Sequence, residues 1–371
     1  MPVEPIVPGG RQGVAFLLAS PAFWVASATV LMYCPWWPDA WTTPRQVVLL
    51  LGLAWLWQPV KLTLVHLLTL LWLAYVALAA YWAPDRTGAL GSLLDLALLV
   101  GVLWIGRGEE LLSGACVGVA GLGALACWES WQGQISGQLL GNPNYLGEAA
   151  AIGISWALVG RRWGMALCLC PALVLSGSRA SLLGLGLVVV WLGYRQCRGL
   201  WARFILVDLA LGALVWAMVF SNSTSLFMRL DWWQVALENL VPFGHGPGSF
   251  WQSLPVHNVT YFQGVMQERP EWPHNELVDW LFTLGLGAIF PIALCFVLWQ
   301  DKARRPLWLC VAVVVALGFP LHVPSTILLL GSLAGLSAEH LPRLGLARRP
   351  WRDAGKVGVE PALSGLSHRR A

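Results

Sequence analysis

The chain has 371 residues, 57% of them hydrophobic and only 11% charged, with a mean hydropathy of +0.64 and a formal net charge of +4. So little charge cannot cover the surface of a water-soluble domain, which excludes a soluble enzyme and a nucleic-acid-binding module. The composition is that of an all-α, polytopic membrane protein, because a chain in lipid must satisfy its backbone within each span.

A helix that crosses the hydrocarbon needs roughly 20 apolar residues, and about 12 such segments can be drawn. They fall near 13–34, 45–59, 62–82, 89–106, 111–128, 144–160, 164–177, 181–194, 204–221, 276–299, 307–320 and 322–338. The first is too long for a signal h-region and reads as a true span. Residues 1–340 form a single transmembrane domain, interrupted between the ninth and tenth spans by a long polar loop, 222–275, and followed by a basic tail, 341–371.

Basic residues set the orientation. With a cytoplasmic N-terminus, Lys61, Arg107, Arg161, Arg162, Arg195, Lys302, Arg304, Arg305 and the tail lie inside, and only Arg45, Arg86, Arg179, Arg229 and Arg269 lie outside. That is the partition the positive-inside rule demands, and it puts the loop 222–275 on the outer face. The tail, with Arg348, Arg349 and Arg352, suits anionic lipid head groups. The eight cysteines lie in or beside apolar spans and none lies in the loop, which argues against a disulfide framework or a cysteine metal site there. Many of the 24 tryptophans, such as Trp82 and Trp163, sit near span ends, as an aromatic belt requires.

Polar residues outside the hydrocarbon carry the chemistry. Asn142 and Asn144 flank Pro143 before the sixth span; Asn144 can cap the following helix, or both carboxamides, with Glu148, can hold a polar substrate. Arg179 stands in a short turn between two apolar helices, where an anion is its natural partner and a lipid head group the plain alternative. Arg229 opens an apolar-periodic stretch that reads as a short interfacial helix. In Gly244-His245-Gly246-Pro247-Gly248 the glycines mean either close approach to a ligand or a loop with positive φ. Trp272 can stack on a sugar ring, and Asn275 and His274 stand at the mouth of the tenth span, where an imidazole can take a proton from a hydroxyl. Asp95, inside a span, reads as a buried polar contact.

Asn142-Pro143-Asn144, Ser178-Arg179 between two helices, Arg229 at the start of a long outer loop, Gly244-x-Gly246-Pro247-Gly248, and His274 ahead of Gly285 together resemble the O-antigen ligase and polymerase superfamily. The resemblance implies a metal-independent inverting glycosyltransferase of a bacterial cytoplasmic (inner) membrane with its active site facing the periplasm. Its donor would be an undecaprenyl diphosphate-linked glycan. It also implies that Arg179 and Arg229 engage the diphosphate and that His274 activates the acceptor hydroxyl. Beside these, Asn142, Asn144, Gly246, Gly248, Trp272 and Asn275 are read from their own chemistry and position as lining the substrate site. The acceptor that the resemblance implies would be a lipid core, a growing glycan or a protein hydroxyl. Trp233 stands where ligases commonly have a leucine, so the choice between ligase, polymerase and protein O-oligosaccharyltransferase stays open. No P-loop, dinucleotide fingerprint or metal-ligand spacing occurs, so no cofactor and no metal is expected. A secondary transporter is the more distant alternative.

Overall fold

The computed structural model describes residues 14–33, 42–58, 60, 62–132, 142–197, 199, 208, 223–254, 273–318 and 320–341. The expected span 204–221 and the basic tail therefore lie outside the described residues, apart from Asp208 and Leu341. Every described element is helical: α1 (Val14–Ala19), α2 (Pro21–Leu31), α3 (Thr42–Leu56), α4 (Leu64–Ala79), α5 (Arg86–Trp104), α6 (Gly108–Trp131), α7 (Pro143–Val159), α8 (Trp163–Ser176), α9 (Arg179–Gln196), α10 (Ser223–Glu238), α11 (Phe250–Ser253), α12 (Glu276–Leu284), α13 (Ile289–Trp299), α14 (Arg305–Leu317) and α15 (Pro324–His340). Two short 3₁₀ turns, Gly285–Ala288 and Pro320–His322, join α12 to α13 and α14 to α15.

Three stretches are long and apolar enough to cross a membrane: Arg86–Trp104, Gly108–Trp131 and Glu276–Trp299; α2, α4, α8 and α14 are apolar but shorter. Two expected spans are broken. Pro21 lacks the N–H that would continue a helix, so 13–34 divides at Ser20 into α1 and α2. The span 276–299 bends at Gly285, whose φ of +54° no ordinary helix residue adopts.

α7 and α15 form the centre, with nearly every residue from Leu146 to Ala157 and from Pro324 to Ala338 buried. α15 packs on α5, α6 and α7, while α7 packs on α8, α9 and α14. Small residues let these backbones approach. Gly114 and Gly118 on α6 face Phe23 and Val30 of α2, and Gly331 and Gly335 on α15 face Val102 and Leu103 of α5, each pair four apart on one helix face. Such close approach supplies the van der Waals contact that holds helices together where no water drives them. Outward, large apolar side chains such as Leu51, Leu167, Val174 and Phe296 are exposed. An apolar surface of this extent is that of a membrane protein.

The chain alternates between two ends of the bundle. At one end Arg162 pairs with Glu109, Arg107 with Glu110 at 3.6 Å, and Arg304 with Asp301 at 2.8 Å. At the other end a smaller apolar core of Trp232, Val235, Ala236, Phe250, Leu254, Val278 and Phe282 seats α10 and α11 against α12. That end carries the residues singled out above.

Candidate functional site

α7 begins with its polar residues already committed. Asn142, not Asn144, is the N-cap: its side-chain oxygen accepts from the Asn144 N–H at 2.9 Å, with Pro143 in the first turn where its missing N–H costs nothing. One turn on, Gly147 has no room for a side chain beside Ser176, Ser178 and Ser181, so α7 lies tightly against the turn from which α9 starts. Glu148 follows and is 1% exposed; Gly318, just past α14, leaves the space that its carboxylate occupies.

Arg179 is the first residue of α9 and exposed. A cation there meets the positive end of the helix dipole, an arrangement that an anion would relieve. Arg229 comes from α10, half-buried, and its Nη1 donates to the Leu317 carbonyl at 3.1 Å. Burial lowers its pKa, Glu148 opposes that and Arg179 adds to it, so the three side chains act on one another. The guanidinium stays charged nonetheless, because its ordinary value lies far above neutral.

His274 precedes α12 in a left-handed backbone conformation, φ +54°. Its ring stacks on Trp232 at 6.3 Å between centroids, and the Trp233 indole N–H donates to the neighbouring Pro273 carbonyl at 2.7 Å. Residues 229, 232 and 233 share one face of α10 by their spacing, so a single helix face carries the arginine and frames the histidine. Burial, and next the Arg229 guanidinium, push the His274 pKa down to about 4. The imidazole is therefore neutral at pH 7 and able to accept a proton. Arg229 thus stands at the centre of the electrostatics, feeling Glu148 and Arg179 and acting on His274, residues from distant stretches of chain. An exposed Arg179 at a helix N-terminus and a half-buried Arg229 are the cations on this side that can pair with an anion.

Other expected contacts have other employment. Asn275 caps α12, its side-chain oxygen accepting from Leu277 N–H at 3.0 Å and Val278 N–H at 3.2 Å. Gly246 (φ +98°) and Gly248 (φ +66°) press against Ala83 and Gly88, at the entry to α5, with no room for a Cβ. The same loop is tied to the end of α12, as His245 N–H donates to Phe282 O at 3.0 Å and Gly246 N–H to Thr283 O at 2.8 Å. Close packing of backbone on backbone accounts for both glycines without a ligand. Trp272 lies outside the described residues, as do His257 and Arg269.

Sequence reasoning missed Trp232 and Trp233 as the frame of His274, although their spacing from Arg229 carried the signal. It also missed a second polar group. Glu276 and Asp279 of α12, both buried, and the half-buried His322 of the 3₁₀ turn lie close together, and Asp95 accepts from Gln46 at 2.8 Å nearby. No protein-family model matches the chain, and a search of curated proteins returns no match.

Proposed function

We propose that the chain is an inverting glycosyltransferase of the O-antigen ligase and polymerase kind. In this reading it sits in a bacterial cytoplasmic membrane with about 12 spans and moves a glycan from undecaprenyl diphosphate to an acceptor hydroxyl on the outer face. The observation that supports the reading is the grouping of Arg179, Arg229 and a neutral His274 at one end of the bundle. The acceptor oxygen attacks the sugar C1 from the face opposite the diphosphate, and its proton passes to a ring nitrogen of His274. The C1–O bond to phosphate breaks and its electron pair stays with the departing undecaprenyl diphosphate, whose charge grows by one. Guanidinium groups aimed at that charge stabilise the transition state more than the ground state. Because attack and departure are on opposite faces, the configuration at C1 inverts.

Transfer of an extracted undecaprenyl diphosphate glycan by the purified protein tests this. Arg229→Ala is expected to lower the rate by about 10²–10³-fold, and His274→Ala by about 10²–10⁴-fold, with both variants still folded. Undiminished transfer in His274→Ala removes the base assignment, and absence of transfer by the parent removes the reading. The transporter alternative draws on Asp95, within the long span Arg86–Trp104; proton-dependent solute flux into vesicles, with no glycan consumed, would establish it instead.

A further inference from the structure

Beside the glycine loop a cavity of about 50 Å³ is lined by Ser92 and Asp95 of α5, by Gly248, by Glu276 and Asp279 of α12, and by His322. Glu276 and Asp279 are three apart on α12 and so present their carboxyls to the same side. Both are buried, 1% and 7% exposed. One ligand atom each from Glu276, Asp279 and His322 lie within 4.8 Å of one another. Two donors on opposite sides of a single first-row ion, each bonded at about 2.0–2.2 Å, would be roughly 4–4.4 Å apart, so small side-chain movements bring these three onto one ion.

The hydrogen bonding leaves this position wanting a cation. Glu276 Oε1 accepts from Leu321 N–H at 3.0 Å, while its Oε2 faces His322 Nε2 at 3.8 Å, too far for a hydrogen bond and suited to two ligands of one ion. Asp279 Oδ1 is fully buried and has no hydrogen-bond partner among the described residues. Asp95 lines the same cavity, so three carboxyl groups face it with a single imidazole. Buried carboxyls without a counter-charge are costly, and a metal ion is one way to hold them ionised. A water needs roughly 10–15 Å³ of such space, so the cavity has room for an ion together with completing water ligands.

We propose that Glu276, Asp279 and His322 bind a divalent first-row metal ion, of the Mn²⁺ or Zn²⁺ kind, in this cavity, with Asp95 and Ser92 at its edge. Carboxylate oxygens with one imidazole nitrogen suit such ions better than Ca²⁺ or Mg²⁺, which take oxygen alone. The ion ties the start of α12 to the turn Pro320–His322 and so steadies the segment that carries His274. It takes no part in the transfer chemistry drawn above, and its presence does not depend on that reading.

The test uses the full-length protein in detergent, stripped with a chelator, and needs no glycan substrate. Mn²⁺ and Zn²⁺ are added separately while Tm and bound metal per chain are measured. About one ion per chain and a rise in Tm are expected. Asp279→Asn, which keeps the shape and removes the charge, and His322→Gln should each weaken binding by roughly tenfold or more. If the stripped wild-type protein takes up neither ion, the proposal fails whatever the variants do. It also fails if both variants bind as tightly as wild type.

Discussion

At His274 the backbone and the side chain pull in different directions. A histidine held at φ +54° forgoes roughly 1–2 kcal/mol relative to a right-handed conformation, and among the described residues only Arg161 shares that condition without being glycine. Asparagine visits this region readily, so His274→Asn separates chemistry from folding better than alanine does. Glycosyl transfer should fall about 10²–10⁴-fold in that variant while Tm is unchanged or higher. A matching loss of Tm would mean that the ring's stacking on Trp232 was its main duty. The depressed pKa gives a second expectation. The neutral imidazole is the working base, so activity is lost as pH falls through its pKa. With that pKa at about 4, kcat/KM should stay level from pH 7 down to pH 5, where an ordinary histidine would already have lost most of it. In the donor complex the diphosphate opposes Arg229, so the limb in kcat should lie at higher pH than the limb in kcat/KM. An acid limb near 6.5 in kcat/KM would contradict a buried imidazole beside Arg229.

Among elements, the loop Gly244–Ser249 was legible as a place needing glycine but not as to why. A sequence shows positive φ or close approach; it does not show what stands where the Cβ would be. The structure puts helix backbone there, with Gly88 opposite Gly248, and adds Tyr75, whose hydroxyl donates to Leu284 O at 2.9 Å, as a further strut to the end of α12. Gly248→Ala and Gly88→Ala should therefore each cost about 1–3 kcal/mol of stability through overpacking, read as a lowered Tm or unfolding midpoint. If Gly248→Ala instead raised KM for the donor and left Tm alone, the glycine would be serving a ligand. The capping residues show the same limit. Asn142 and Asn275 stood out because they lie outside the hydrocarbon, and each turned out to be spent on a helix N-terminus. An asparagine before a helix reads alike whether it faces a substrate or a backbone N–H.

Across the whole molecule, what was legible followed from the lipid. The expected segments 144–160 and 164–177 match the helices Pro143–Val159 and Trp163–Ser176 within a residue, because hydropathy reports the demand that each span satisfy its own backbone. The breaks at Ser20 and Gly285 were hidden because a proline or glycine inside an apolar run does not say whether neighbouring segments will re-satisfy the freed groups. Glu276, Asp279 and His322 were hidden because their meeting depends on how α12 packs near the turn after α14, which no spacing along the chain encodes. Lys and Arg placement predicts the orientation, and the bundle offers a sharp test of it. Pro84 is exposed in the turn beside the loop that Gly246 packs on, and Lys302 is exposed in the turn between α13 and α14, by the ion pair of Arg304 and Asp301. In a cysteine-free background, Pro84→Cys should react with a membrane-impermeant maleimide applied to intact spheroplasts, and Lys302→Cys only after the membrane is opened. The reverse pattern would put Arg179, Arg229 and His274 in the cytoplasm, where an acceptor on the outer face cannot reach them, and the proposed transfer would fall with the topology.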